Sequence, residues 1–424
     1  MEDHPLRYEL ANELHARPFP ALNVPCTAAY LAIKRPGNAA GRDRGADMAH
    51  LVALLDRYGA AHPAPDATHY FGQIGRHWIK WESHTEVVTY TAFRDGLGER
   101  PFDPAEFEVF PADWLDEAPG MRLTSALIRV EPMRGETEMA ERITDWLAPD
   151  SIAASHVLDG AAVMAGDFRI DPAGHLRFAV FASEGIGARR VGRIVQRLCE
   201  IETYKTLSLL GFARAREMSS QLSRAGARLG ELIEEMGHEG ARADATLDAL
   251  LKVSGELEEI SAQSSFRFSA TAAYEHLVHE RIHVMRESRF LGRQGFAEFM
   301  LRRFDPAMRT VKAAEKRLTA LAERAVRAGD LLRTRVDVER SAQNQALLES
   351  MDRRADLQLR LQTTVEGLSV VAISYYAVNL VAYALYPLAK TLEGLDKGML
   401  TAVVTLPVVF LVWLAVRRIR GKFH

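Results

Sequence analysis

Hydrophobic residues follow a different spacing in each part of the chain. Up to residue 186, short runs rich in β-branched and aromatic residues alternate with helical stretches, and Gly, Pro or Asp residues separate several of the runs. This pattern predicts a mixed α+β domain over residues 1–186 with several antiparallel strand pairs. Strands are predicted at 27–34, 77–83, 86–93, 123–130, 161–170 and 175–182, and helices at 45–58 and 136–148, with Thr137 as the cap of the second.

Residues 187–300 have the spacing of long helices. Proline is absent from this stretch, and apolar residues recur at steps of three and four. Gly237 and Gly240 interrupt the pattern near its middle. We therefore expect two long antiparallel helices that form a helical hairpin.

Residues 301–389 predict one very long helix that continues into an apolar segment. No proline lies between Pro306 and Pro387, and Arg and Glu fill the positions outside an apolar seam, as in a coiled coil. About 80 helical residues would make a rod of roughly 120 Å, which needs either the preceding helices or copies of itself to pack against. Oligomerisation is the simpler expectation. The seam consists of Leu318, Leu321, Ala325, Ala328 and Leu332, and later of Leu348, Met351, Ala355 and Leu359.

Two stretches without charged residues lie near the C-terminus, at 367–389 and 398–416. Each is close to the roughly 20 apolar residues that cross a bilayer, so they predict a transmembrane hairpin with an outer loop at 390–397 and a second helix and basic tail at 398–424. A buried hairpin of a soluble protein is the alternative. The basic residues flank the spans on the side away from the loop, which predicts that both termini lie in the cytoplasm.

Composition narrows the function classes. The formal net charge of −3 over 424 residues provides no field that would recruit nucleic acid. The two cysteines, Cys26 and Cys199, fit no disulfide framework and are expected to be buried in a protein of a reducing compartment. The N-terminus has no apolar stretch of signal-peptide length, and no phosphate-binding glycine motif follows a predicted strand.

A zinc-protease pattern occurs in the predicted hairpin. His279, Glu280 and His283 form H-E-x-x-H, and His276 extends the histidines to a stripe of candidate metal ligands, His276, His279 and His283. Arg281 places a cation beside the site, and charged residues surround this helix on all sides. Histidines on a solvated helix surface are therefore favoured over a zinc site, and we expect no enzyme, with a zinc hydrolase as a distant third hypothesis.

The order of the predicted parts resembles that of the CorA-type magnesium transporters, which are pentameric channels with a cytoplasmic domain, a long helix and two spans. Their Tyr-Gly-Met-Asn signature corresponds to "YAVN" at 376–379, where Tyr376 and Asn379 match and Ala377 and Val378 depart. The stretch "NELHARP" at 12–18 also resembles the N-terminus of an uncharacterised family of bacterial membrane-anchored proteins. That second resemblance covers nearly the whole chain and implies no established activity.

The CorA-type resemblance implies a homo-oligomer, a pentamer in that family, which conducts a divalent cation such as Mg²⁺ across the lipid bilayer without another cofactor. A ring of Asn379 amides would contact the hydrated cation, and helical spacing would turn further residues toward the same axis. The rival hypothesis is a non-transporting scaffold or sensor in which Asn379 only bonds neighbouring helices. The candidate pore residues are Asn379, Tyr376, Tyr375, Ala372 and Leu368, and the cation-attracting residues of the outer loop are Glu393 and Asp396.

Overall fold

The computed structural model describes residues 3–8, 19–37, 42–238, 243–389 and 397–420. The "NELHARP" stretch and the outer-loop residues Glu393 and Asp396 therefore lie outside the described residues. The chain divides into two compact units. The first comprises Met1–Ala241 and Asp248–Gly329, and the second comprises Arg242–Leu247 and Asp330–His424. Each unit is described by itself below.

A nine-stranded sheet forms the centre of the first unit, with the strand order β2-β3-β4-β1-β5-β8-β7-β6-β9. Neighbouring strands in this order are antiparallel except β5 and β8, which are parallel. The strands are β1 (Cys26–Lys34), β2 (His69–Ile74), β3 (His77–Ser83), β4 (Val88–Asp95), β5 (Met121–Pro132), β6 (Ala153–Val157), β7 (Ala162–Gly166), β8 (Leu176–Ala182) and β9 (Ser288–Arg289).

The central strands of the sheet are buried on both faces because helices cover each side. Along β1, Ala28 and Tyr30 belong to one hydrophobic cluster and Ala29 and Leu31 to the other, as the two-residue period of a strand requires. The second cluster includes residues of three short helices, α1 (Arg44–Arg57), α2 (Ala112–Asp116) and α3 (Glu136–Trp146). The first cluster extends into the long helices of this unit.

The six predicted strands are confirmed, although β7 ends at Gly166, earlier than predicted. Both predicted helices are confirmed as α1 and α3, but the predicted cap is wrong. Gly135 precedes the first residue of α3, so Thr137 lies inside the helix. The strands β2, β6 and β9 were not predicted.

Two long helices follow the sheet, α4 (Ala188–Met236) and α5 (Ala243–His283). They approach closely where a β-carbon on Gly211 would lie 2.1 Å from Oγ1 of Thr271. Because the second of these helices ends at His283, the helical hairpin also ends there and not at residue 300. The remainder of that stretch contains β9 and a short helix, α6 (Phe296–Arg303).

The helix α7 runs without interruption from Asp305 to Ala389, as the seam of apolar residues predicted. Within the first unit, Leu318, Ala325 and Ala328 are buried in the same hydrophobic cluster as residues of α4 and α5. Three helices thus share one core up to the end of this unit. This burial is the packing on preceding helices that a helix of such length needs.

The second unit contains the remainder of α7 and the helix α8 (Lys397–Arg420). In α7, Leu332 is 1% exposed and Val336 8% exposed, and every residue from Asp337 to Val365 is exposed. The described part of the protein is therefore a mixed α+β unit with long helices, followed by two apolar helical segments.

Candidate site on the first apolar helix

Two described helices are long and apolar enough to cross a membrane, α7 through its C-terminal part and α8. This is an indication of membrane association from length and composition. Helical hydrogen bonds satisfy the backbone of such a segment internally, which is the requirement for a chain in contact with lipid.

One side of the apolar part of α7 is buried. Ser374, Val378 and Ala382 are 5%, 8% and 8% exposed, and they recur at steps of four, so they share one side of the helix. The predicted pore residues lie on other sides. Asn379 follows Val378 directly, which turns it by about 100° from the buried side.

The predicted pore residues are largely exposed in the single chain. Leu368, Tyr375 and Tyr376 are 66%, 67% and 69% exposed, Ala372 is also exposed, and Asn379 is half-buried. Leu368, Ala372, Tyr375 and Asn379 follow each other at steps of four, three and four, so they share one side of α7. Tyr376 stands beside this side, with its ring 5.8 Å from that of Tyr375.

Asn379 is the polar member of this side. Its Nδ2 donates a hydrogen bond to the backbone carbonyl of Tyr375 at 3.0 Å, one turn earlier in the same helix. This hydrogen bond does not use the amide oxygen, which can accept from water, from the water shell of a cation or from a neighbouring helix. A second amide lies at the start of the apolar segment, where Nε2 of Gln362 donates to Oε1 of Glu366 at 3.2 Å.

The three candidate metal-binding histidines are exposed on α5. His279 forms an ion pair with Asp305, with 3.2 Å between Nε2 and Oδ1, and Glu280 pairs with Arg281 at 3.3 Å. In the described parts of the chain, no group of three or more His, Cys, Asp or Glu side chains is arranged to hold a metal ion. His276 and His283 are surface residues of the helix.

An open cavity of about 590 Å³ lies beside His279. One of its carboxylates, Glu287, accepts hydrogen bonds from the backbone amides of Phe296 and Ala297 and from Oγ of Ser155, each at 2.9 Å. Glu287 thereby caps the N-terminus of α6. The carboxylate has a structural role that accounts for its position.

A buried ionic cluster, which the sequence did not reveal, joins the sheet to α5 within the first unit. The Glu86 side chain is fully buried, and both of its oxygens accept from the guanidinium of Arg267. The Tyr274 hydroxyl donates to the same carboxylate at 2.9 Å, and Nζ of Lys34 lies 3.8 Å from it. Burial lowers the pKa of Lys34, against the effect of Glu86, and burial together with Glu86 raises the pKa of Tyr274.

Both cysteines are buried, as predicted. Burial, with a further contribution from Asp95, raises the pKa of Cys26 to about 12, and burial raises that of Cys199 well above its usual value. A thiol with a raised pKa is a poor nucleophile at neutral pH.

Comparisons with known proteins give one match. No curated protein and no solved structure matches the chain, so the structural comparison does not support a CorA-type fold. The sequence profile of the family described as "Protein of unknown function (DUF3422)" matches residues 2–423. The chain therefore belongs to the DUF3422 family.

Proposed function

We propose that this protein is a homo-oligomeric channel of the bacterial inner membrane that conducts a divalent cation, with Mg²⁺ as the first candidate. Both termini would lie in the cytoplasm, and the first apolar helices of several copies would surround the conduction path. The proposal involves no enzymatic step and no resident cofactor.

The observation that carries the proposal is the side of α7 that the exposed Leu368, Ala372 and Tyr375 share with the half-buried Asn379. An asparagine in an apolar helix is costly unless its amide meets a polar partner. Its Nδ2 is bonded to the backbone of its own helix, whereas its oxygen can accept from a partner outside that helix. Copies arranged round an axis would bring several such oxygens together.

A ring of amide oxygens suits a hydrated divalent cation. Mg²⁺ gives up its water shell reluctantly, so a pore selects it by accepting hydrogen bonds from that shell. Leu368 and Ala372 would line the path on the cytoplasmic side of this ring, where an apolar constriction can close by excluding water. Tyr376 would support the ring, and Glu393 and Asp396 would attract cations at the outer mouth.

The test is Mg²⁺ uptake into liposomes that contain the purified protein and an internal Mg²⁺-sensitive dye. We expect uptake by the wild type and a loss of at least tenfold in Asn379→Ala. Asn344→Ala is the matched control, because Asn344 is an exposed asparagine of the same helix outside the apolar segment. Equal uptake by both variants would remove the role proposed for Asn379.

A membrane-anchored scaffold or sensor is the second candidate. The hydrogen bond from Asn379 to Tyr375 favours it, since an asparagine whose donor is satisfied within its helix needs only one acceptor contact with a neighbouring helix. In that case the wild type would assemble and transport no ion, and Asn379→Ala would weaken the assembly instead.

A further inference from the structure

The segment of α7 from Asp337 to Val365 is helical although nothing in the described chain covers it. All of its residues are exposed, in contrast to Leu332 and Val336 immediately before it. Most helices in proteins owe their stability to the packing of one apolar face and not to the propensity of their residues. A helix of this length without such packing points to a partner outside the chain.

Some of the exposed apolar residues of this segment form a stripe together with one polar residue, Gln362. Leu348, Met351, Ala355, Leu359 and Gln362 recur at steps of three and four, and Leu348, Met351 and Leu359 are 64%, 58% and 58% exposed. The opposite side of the helix is charged, with an exposed pair between Asp356 and Arg360 among its residues. The segment is therefore amphipathic, with one side suited to another helix and one suited to water.

We infer that this stripe is the contact through which copies of the chain assemble, as a parallel, in-register helical bundle in the aqueous phase beside the membrane. This inference rests on the proposed function for the placement of α7 in the membrane. Copies inserted in the same orientation hold their α7 helices parallel, so that equal residues come to equal heights above the bilayer.

The polar member of the stripe, Gln362, identifies a second copy as the occupant, because it lies in line with the apolar positions. A polar residue at a core position is satisfied when it meets its own counterpart, and it thereby fixes register and the number of chains. In a parallel, in-register bundle of identical helices each Gln362 meets its counterparts, whereas an antiparallel arrangement would place it against apolar residues.

Single cysteines in the full chain in native membranes test the inference. Leu348→Cys, Ala355→Cys and Gln362→Cys occupy equivalent positions seven residues apart, and the native Cys26 and Cys199 are buried and do not compete. In a parallel bundle each of the three brings two α-carbons close to the separation of about 7 Å or less that a disulfide requires. We expect oxidation to convert each variant to a disulfide-linked dimer.

Ser350→Cys is the matched control, because this small exposed residue lies about 140° round the helix from Ala355. Its dimer yield is expected to be at least tenfold lower. Cross-linking of Ala355→Cys alone would indicate an antiparallel pair and overturn the inference. Equal yields at Ser350 and Ala355, no dimer at any position, or a product with the mass of a different protein would overturn it as well.

A pair of leucines provides a second test that does not depend on disulfides. Leu359→Lys places a charge on the stripe, whereas Leu357→Lys places it about 160° away on the charged side. The two leucines are 58% and 62% exposed, so neither change disturbs the single chain. We expect Leu359→Lys to shift the detergent-solubilised protein from oligomer to single chain and Leu357→Lys to leave the oligomer intact.

The inference about assembly and the proposal of cation conduction can be contradicted separately. If the stripe cysteines cross-link and wild-type liposomes take up no Mg²⁺, the bundle stands and the channel proposal fails. If uptake occurs while none of the stripe cysteines cross-links, the copies meet elsewhere and the inference about the stripe fails.

Discussion

The helix α7 contains two stretches of similar length whose apolar residues differ in their exposure to solvent. Between Met308 and Val336 the apolar seam is buried, with Met308 and Leu332 each 1% exposed. Between Asp337 and Val365 the apolar residues are exposed, with Leu348 64% exposed. The first stretch is thus complete within one chain, and the second requires something that one chain does not provide.

The same contrast holds for polar groups. In the first unit, buried charges such as Glu86 have partners from other elements of that unit. In the apolar part of α7, Asn379 has a partner only one turn away in its own helix, among the hydrogen bonds of the described residues. Stability of the first unit should therefore respond to changes in internal partners, and the predictions below test how self-sufficient that unit is.

The largest effect is expected from Arg267→Met, which removes the main partner of the buried Glu86 carboxylate. An unpaired buried charge is costly, and we expect a loss of about 3 kcal/mol in the free energy of unfolding, at the low end for a buried pair because Lys34 and Tyr274 remain. Urea denaturation of the detergent-solubilised chain, followed by circular dichroism, measures this loss.

Arg327→Met is the control for this change. Arg327 pairs with Glu323 on the surface, where the two side chains are 65% and 61% exposed, and such pairs contribute about 0–1 kcal/mol. Losses of equal size in the two variants would contradict the view that the first unit depends on its internal ionic cluster.

A smaller effect is expected from Gly211→Ala, at the close approach of α4 and α5. The added β-carbon would meet Oγ1 of Thr271 at 2.1 Å, so the helices must separate, at a cost of about 1–3 kcal/mol. Thr271→Ala in the same chain removes the hydroxyl and should recover part of the loss, as a double-mutant cycle in urea would measure.

Gly230→Ala tests whether the effect comes from the contact and not from the loss of a glycine. Gly230 lies in the same helix, and a β-carbon there meets nothing within 4 Å. Alanine is the better helix former by roughly 0.5–1 kcal/mol, so this variant should be slightly stabilised. A destabilised Gly230→Ala would show that α4 depends on glycine for another reason.

Local pattern was sufficient to predict most of the fold. The strand β5 is rich in β-branched and aliphatic residues, and α7 lacks proline over most of its length. Each could therefore be predicted from its own residues. The strand β2 has Gly72 near its centre, and β6 consists largely of small residues that are buried on both faces, so neither shows the alternation that identifies a strand. The prediction that Thr137 caps α3 was wrong because the residue before the helix is Gly135, which makes no side-chain cap that the sequence could have shown.

Only part of the candidate site could be predicted from the sequence. Helical spacing predicts that Leu368, Ala372, Tyr375 and Asn379 share a side, and α7 is helical over all four positions. That they line a pore stays a prediction. The partners of Glu86 could not be predicted, because Arg267 and Tyr274 are 181 and 188 residues away in the chain. The ion pair of His279 with Asp305 could not be predicted from the histidine spacing, because Asp305 belongs to another helix.

The last prediction is a pH dependence that His77 confers on the first unit. Burial, together with Arg76 and Arg94, lowers the pKa of His77 from an ordinary 6.5 to about 4. Between these two pH values the unfolded chain binds a proton at this residue and the folded chain does not. The contribution of His77 to stability is therefore complete above pH 6.5 and is lost as the pH falls toward 4.

His77→Gln removes this titration, so the difference in unfolding free energy between wild type and variant should change between pH 7 and pH 5 in favour of the variant. Urea denaturation at the two values measures it. His276→Gln removes an exposed histidine of α5 and serves as the control. If His77→Gln loses stability at acid pH in parallel with the wild type, the acid sensitivity arises elsewhere. Burial also lowers the pKa of His50, which bonds to Tyr90 and Trp114 inside the second hydrophobic cluster, and this histidine would then be the next to replace.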